Sequence, residues 1–135
     1  MENSSEDKVL AGLSHLAIFL NLIGILGVLI VYLVKKDESE FIAHHAKQAL
    51  GYQVVIMVIT WLLGIFFAAA AVGGALTGQI FELEFLVPGI MILAFLFGLL
   101  AILITIALYG YAIYAAVKAF QGEDFVYAVI GKLLV

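Results

Sequence analysis

Three histidines, His15, His44 and His45, carry the side chains in this sequence best suited to hold a metal or a haem, or to move a proton near neutral pH. Their spacing argues against the first use. His44 and His45 are neighbours, so they diverge by about 100° around a helix, and no pair stands at the i,i+4 spacing of helical metal ligands. On straight membrane helices His15 falls near one end of its helix and His44 and His45 near the opposite end of theirs, a bilayer apart. No cofactor and no metal are expected on this reading, and a haem-binding electron carrier ranks last among the functions considered. His44 pairs instead with Glu40 one turn earlier, where a carboxylate favours the imidazolium. Glu40, His44, His45, Lys47 and Gln48 thus form a candidate partner-binding or pH-sensing segment. The plain alternative is a solvated helix face that only positions its helix.

A second polar set consists of Asn21, Gln53, Thr60 and Thr105. Each lies on a stripe of small residues within an apolar run, and Asn21, Thr60 and Thr105 fall near the run centres. Such side chains bond across membrane helices as glue, worth on the order of 0.6 to 2 kcal/mol each. The competing use is a polar path through an oligomeric channel or carrier. Glu82 and Glu84 are two loop carboxylates that resemble solvated surface more than a cation site. No nucleophile with its base, no phosphate-binding loop and no dinucleotide fingerprint occurs in the sequence, so the expectation is a noncatalytic protein.

The elements that must position these residues follow from the charges. Of 135 residues, 66% are hydrophobic and 12% charged, with a mean hydropathy of +1.23. Typical soluble domains are about 45 to 50% apolar and about 25% charged. Residues 9–34, 48–81 and 85–117 contain no Asp, Glu, Lys or Arg. Each run is long enough, at about 1.5 Å per residue, to cross a hydrocarbon core of about 30 Å. Soluble, secreted, nucleic-acid-binding and disordered classes drop out. The basic residues are six scattered lysines without arginine, which leaves no nucleic-acid footprint, and the absence of cysteine excludes disulfides and thiolate sites. The acidic opening Met1 to Lys8 lacks the basic flank of a cleavable signal, so the first run reads as a retained span.

These patterns predict one all-α integral membrane domain over residues 1–135. Its three transmembrane helices, about 9–34, 50–72 and 89–118, form a small bundle. Asp37 and Glu40 read as a capping box for the second helix, whose first turns are amphipathic, and Gly73-Gly74 as its end. Pro88 suits the first turn of the third. That helix carries the longest stripe of small residues, from Ala94 to Ala119, with Tyr109, Tyr111 and Tyr114 as an aromatic belt. After Gln121 to Asp124, the spacing of Val126, Val129, Ile130, Leu133 and Leu134 predicts a C-terminal interfacial amphipathic helix over about 125–134. Lysines in the short loops place the N-terminus outside and the C-terminus in the cytoplasm, with Lys8 alone on the outer side.

The segment from Lys35 to Gln53, with Lys35-Lys36-Asp37-Glu38 followed by His44-His45-Ala46-Lys47-Gln48-Ala49-Leu50 and Gln53, resembles the signature of a prokaryotic membrane family. This is the Tic-twenty-like family, related to the chloroplast inner-envelope protein-import subunit. Leu13-Ser14-His15-Leu16 is similar to its opening motif, and Lys118 to Glu123 to the motif after its last span. Val126-Tyr127-Ala128 departs from the family's R-Y-P. The resemblance implies a small multi-pass protein of a prokaryotic cell membrane with translocon-like partnerships. The sequence-based expectation is a membrane scaffold or assembly partner that contacts the lipid bilayer, further copies of itself or other membrane proteins, but no nucleic acid, through Asp37 to Gln53.

Overall fold

The computed structural model describes residues 4–81 and 87–133. Those residues are helical apart from short turns and the last segment, with no strand among them. The elements are α1 (Ser5–Leu16), a 3-10 turn (Ala17–Leu20), α2 (Asn21–Lys35), α3 (Glu40–Phe81), α4 (Val87–Gln121) and a final 3-10 turn (Gly131–Leu133). Three stretches, Ser5–Lys35, Glu40–Gly78 and Pro88–Gln121, are long and apolar enough to cross a membrane. Their contacts divide the chain into two compact units, one of residues 1–57 with 108–135, the other of residues 58–107.

The first apolar run departs from expectation. It is not one continuous helix over 9–34, because the chain breaks between α1 and α2. Asn21 adopts φ 51° and ψ −128°, outside the helical region, and the two segments fold back on one another. Gly24 lies so close to the Ala17 carbonyl that a Cβ would collide with it, and Lys35 Nζ reaches Glu6 Oε1 at 3.7 Å. The Lys35–Glu6 contact pairs an early residue of α1 with the last of α2, and Gly24 meets Ala17 across the turn between them, the register of an antiparallel helical hairpin. At 12 and 15 residues the two arms are about 18 and about 22 Å long, so neither crosses a core of about 30 Å alone. Ser4 starts the hairpin with a capping box: its hydroxyl accepts from the Asp7 N–H at 3.1 Å, and its own N–H donates to the Asp7 carboxylate at 3.3 Å.

A tight turn then leads into α3. Ser39, not Asp37, caps it, its hydroxyl accepting from the Ile42 N–H at 3.3 Å. Gly73-Gly74 does not end α3. The helix continues to Phe81, and the Thr77 hydroxyl donates to the Gly73 carbonyl at 2.8 Å, returning a polar group to the same helix. At the end of α4, Gly122 takes φ +82°, the Gly122 N–H bonds the Ala119 carbonyl and the Glu123 N–H bonds that of Lys118, the paired closure of a helix C-terminus that favours glycine.

In the first unit the hairpin, the start of α3 and the end of α4 form a bundle. Ala11, Phe41 and Ala119 pack together, Val28 packs with Ala46 and Ala49, and Ile18 joins Tyr52, Ile56, Ala112 and Ala115. The small-residue stripe of α4 is thus buried at Ala112, Ala115 and Ala119, where neighbouring backbones come close. Lys8 lies against Gly122, and the ring of Phe120 lies over Gly12. The first turns of α1 and the last turn of α4 therefore share one end of the unit.

The expected C-terminal helix over 125–134 is also absent from the described residues. Residues 123–127 run without regular structure into a turn, and Phe125 and Tyr127 are buried. Tertiary contacts to two aromatic rings override a helical spacing that was only five residues deep. The second unit contains the later part of α3 and the earlier part of α4. Its large side chains, among them Trp61, Phe66, Met91 and Phe95, are exposed, as on helices whose solvent is lipid. Glu82 and Glu84 lie outside the described residues.

Candidate functional site

The three histidines are not a bilayer apart. The hairpin turns His15 back toward the start of α3, where its Nε2 lies 3.0 Å from Nδ1 of His45, both rings buried. The other ring nitrogen of His15 is 3.0 Å from the Tyr127 hydroxyl. His44 continues the cluster, its ring centroid 5.4 Å from that of His45, and its Nε2 donates to the Phe125 carbonyl at 3.0 Å. A cation-ligating set of three or more His, Cys, Asp or Glu does not occur among the described residues. The imidazoles are spent on one another and on the C-terminal segment.

That segment is held almost entirely by side chains that bond its backbone. Gln48, itself buried, accepts from the Tyr127 N–H at 3.3 Å and donates to the Gly131 carbonyl at 3.1 Å. Gly131 is required there, since a Cβ would run into the Gln48 oxygen. Tyr111 accepts from the Ala128 N–H at 3.2 Å. Tyr127 stacks flat on Tyr52 with ring centroids 3.9 Å apart, and Tyr111, Phe125 and His15 meet its ring edge-on. Burial in this aromatic box, reinforced by the neighbouring phenols of Tyr52 and Tyr111, raises the pKa of the Tyr127 phenol.

Among the described residues, two buried side-chain polar atoms lack a hydrogen-bond partner: Nε2 of His45 and Oε1 of Gln53. Gln53 is nonetheless anchored, its amide donating to the Ser14 carbonyl at 2.8 Å. The Asp124 carboxylate and the Glu123 backbone act electrostatically on the His45 ring. An open cavity of about 510 Å³ lies beside the cluster, lined by Glu40, Phe41, His44, Asp124 and Val126.

Of the residues singled out from sequence, His44, His45 and Gln48 come together in this cluster, with Glu40 at the cavity wall. Lys47 is exposed. Gln53 is in the core of the same unit, whereas Asn21 is exposed at the hairpin break. Thr60 and Thr105 are exposed in the second unit, and the Thr105 hydroxyl donates to the Ala101 carbonyl of its own helix at 2.8 Å. Tyr127, Tyr52 and Tyr111 were missed as site residues. The signal for Tyr127 was the alternation Phe125-x-Tyr127 after a glycine stop, which fits an extended segment with one buried face.

The family model of the magnetosome magnetite crystal formation proteins, MamF/MmsF, matches residues 6–134. No curated protein and no solved structure matches the chain. The family match overturns the resemblance to the Tic-twenty-like family and, with it, the translocon-like partnership. The segment that carried the resemblance, Lys35 to Gln53, is in this fold the turn into α3 and the clamp on the C-terminal segment, so its residues answer to packing within the chain.

Proposed function

We propose a role from one premise: the chain belongs to the magnetosome magnetite crystal formation protein family. In this reading it is a noncatalytic integral protein of the magnetosome membrane that acts in crystal formation as a scaffold, holding partners at the membrane rather than transforming a substrate. The observation that carries the reading is the family match over nearly the whole chain. The first unit supports it by its construction. Its buried polar groups largely satisfy one another, which makes a rigid polar platform on helices that are otherwise exposed and apolar.

All six lysines, Lys8, Lys35, Lys36, Lys47, Lys118 and Lys132, belong to the first unit, and residues 58–107 contain none. With the first turns of α1 and the last turn of α4 at one end of that unit, we read that end as the cytoplasmic one by the lysine rule. Of the candidate residues Glu40, His44, His45, Lys47 and Gln48, the exposed Glu40 and Lys47 are the ones left for partners.

The test is a clean deletion of the gene in its host, complemented by the parent chain or by E40Q/K47Q. Deletion is expected to change crystal size or number as counted by electron microscopy, and the double variant to complement incompletely while inserting normally. Unchanged crystals after deletion would refute a role in crystal formation. Full complementation by the double variant would remove Glu40 and Lys47 from the partner surface.

A further inference from the structure

We propose that His15, His45 and Tyr127 form a two-proton latch that fastens the C-terminal segment, residues 123–133, to the first unit. The contact between Nε2 of His15 and Nδ1 of His45 is a nitrogen-to-nitrogen hydrogen bond of 3.0 Å, which has room for one proton. With both rings neutral, His45 donates from Nδ1 to His15, and His15 donates from Nδ1 to the Tyr127 oxygen. Two nitrogens then lack a proton: Nε2 of His15, which accepts from His45, and Nε2 of His45, the buried atom that has no hydrogen-bond partner.

A first proton adds at the Nε2 of His45, a ring on which the Asp124 carboxylate and the Glu123 backbone act, and every bond of the chain survives. A second proton has only Nε2 of His15 to occupy. There it sets N–H against N–H across 3.0 Å and breaks the link. Two cationic rings whose centroids are 5.3 Å apart then sit among the aromatic faces of Phe41, Phe125 and Tyr127, with His44 beside them. Separation of the C-terminal segment relieves that arrangement by admitting water.

The surroundings suit such a device. The cavity lined by Glu40, His44 and Asp124 brings water to the edge of the cluster. The titratable and charged groups around the cluster are Glu40, His44 and Tyr52 from α3, Tyr111 from α4, and Glu123, Asp124 and Tyr127 from the segment itself. Lys118 is already engaged by Glu123 at 2.6 Å, which leaves Asp124 as the carboxylate that steadies the first proton. Gly122, with its positive φ, is the hinge about which the segment can leave.

The chain has no cysteine, so two can be placed freely. Spin labels at E38C and V129C, both exposed positions, report the distance between the start of α3 and the C-terminal segment in the full-length protein in phospholipid nanodiscs. Between about pH 8 and about pH 4 the narrow distance peak is expected to give way to a broad one. The ratio of the two populations should change about a hundredfold per pH unit, the slope of two coupled protons. H45N, which removes the first proton site, should abolish that slope, while H44Q, which keeps a donor for the Phe125 carbonyl, should preserve it. A parent chain with an unchanged narrow peak over the whole range overturns the latch. So does a slope of one, or an H44Q variant that loses the transition. Should H45N fail to give the narrow peak at about pH 8, H15N replaces it with the same expected loss.

Discussion

Replacing Gln48 tests the account of the C-terminal segment most directly, because one buried side chain serves two backbone groups. In Q48L the side-chain volume is nearly kept, so the change isolates the hydrogen bonds. The Tyr127 N–H loses its acceptor at 3.3 Å and the Gly131 carbonyl its donor at 3.1 Å, both in buried surroundings. An unmatched buried group costs about 1 to 3 kcal/mol. The 3.3 Å bond is long and belongs near the lower limit, so the pair is worth about 3 kcal/mol, or about two orders of magnitude in the docking equilibrium. Q48A adds a cavity and should cost about 1 to 2 kcal/mol more. Reversible unfolding in mild detergent gives the totals, and amide exchange at Tyr127 and Gly131 shows whether the loss is local. A Q48L chain within about 0.5 kcal/mol of the parent, with the Tyr127 amide still protected, would refute the clamp.

Other outcomes follow from the same geometry. G24A drives a methyl into the Ala17 carbonyl, a backbone atom that cannot swing aside, and should cost about 1 to 3 kcal/mol in the unfolding assay while loosening the hairpin. Single cysteines at Ser4 and at Gln121 should react with a membrane-impermeant maleimide from the same side of sealed vesicles, and labelling from opposite sides would dissolve the hairpin topology. Burial raises the Tyr127 pKa, so the stability gained from the neutral phenol is complete below about pH 10 and is lost as pH rises past it. Y127F should therefore show a flatter alkaline limb in a pH series of unfolding curves. It should also be about 1 kcal/mol less stable near neutrality, where the bond to His15 is missing.

Much of the helical architecture was legible in the sequence, and the site was not. Charge-free runs report transfer into lipid residue by residue, so α3 and α4 and the place of Pro88 could be read directly. A reversal cannot be read that way, since residues 9–34 are as apolar folded back as straight. Two weak signals pointed to it. Asn21 and Gly24 sit at mid-run, where φ above zero and a close backbone approach are tolerated. Lys8 was the one lysine that a three-crossing orientation stranded on the wrong side. The imidazole cluster depended on that reversal, because only a folded first run brings His15 to His45. The amphipathic C-terminal helix was expected for a related reason: the residues that anchor the segment are Phe125 and Tyr127, which meet Tyr52 and Tyr111, and not Val126 and Val129 of the apolar spacing, which are exposed.

The hairpin has a mechanical meaning for the sheet that holds it. Arms of about 18 and about 22 Å that enter and leave through one surface add cross-sectional area to that lipid monolayer and little to the other. Lipids opposite must spread or the sheet must bend to equalise their packing. A crowd of such wedges inserted from one side would favour a surface that bulges toward the side of insertion.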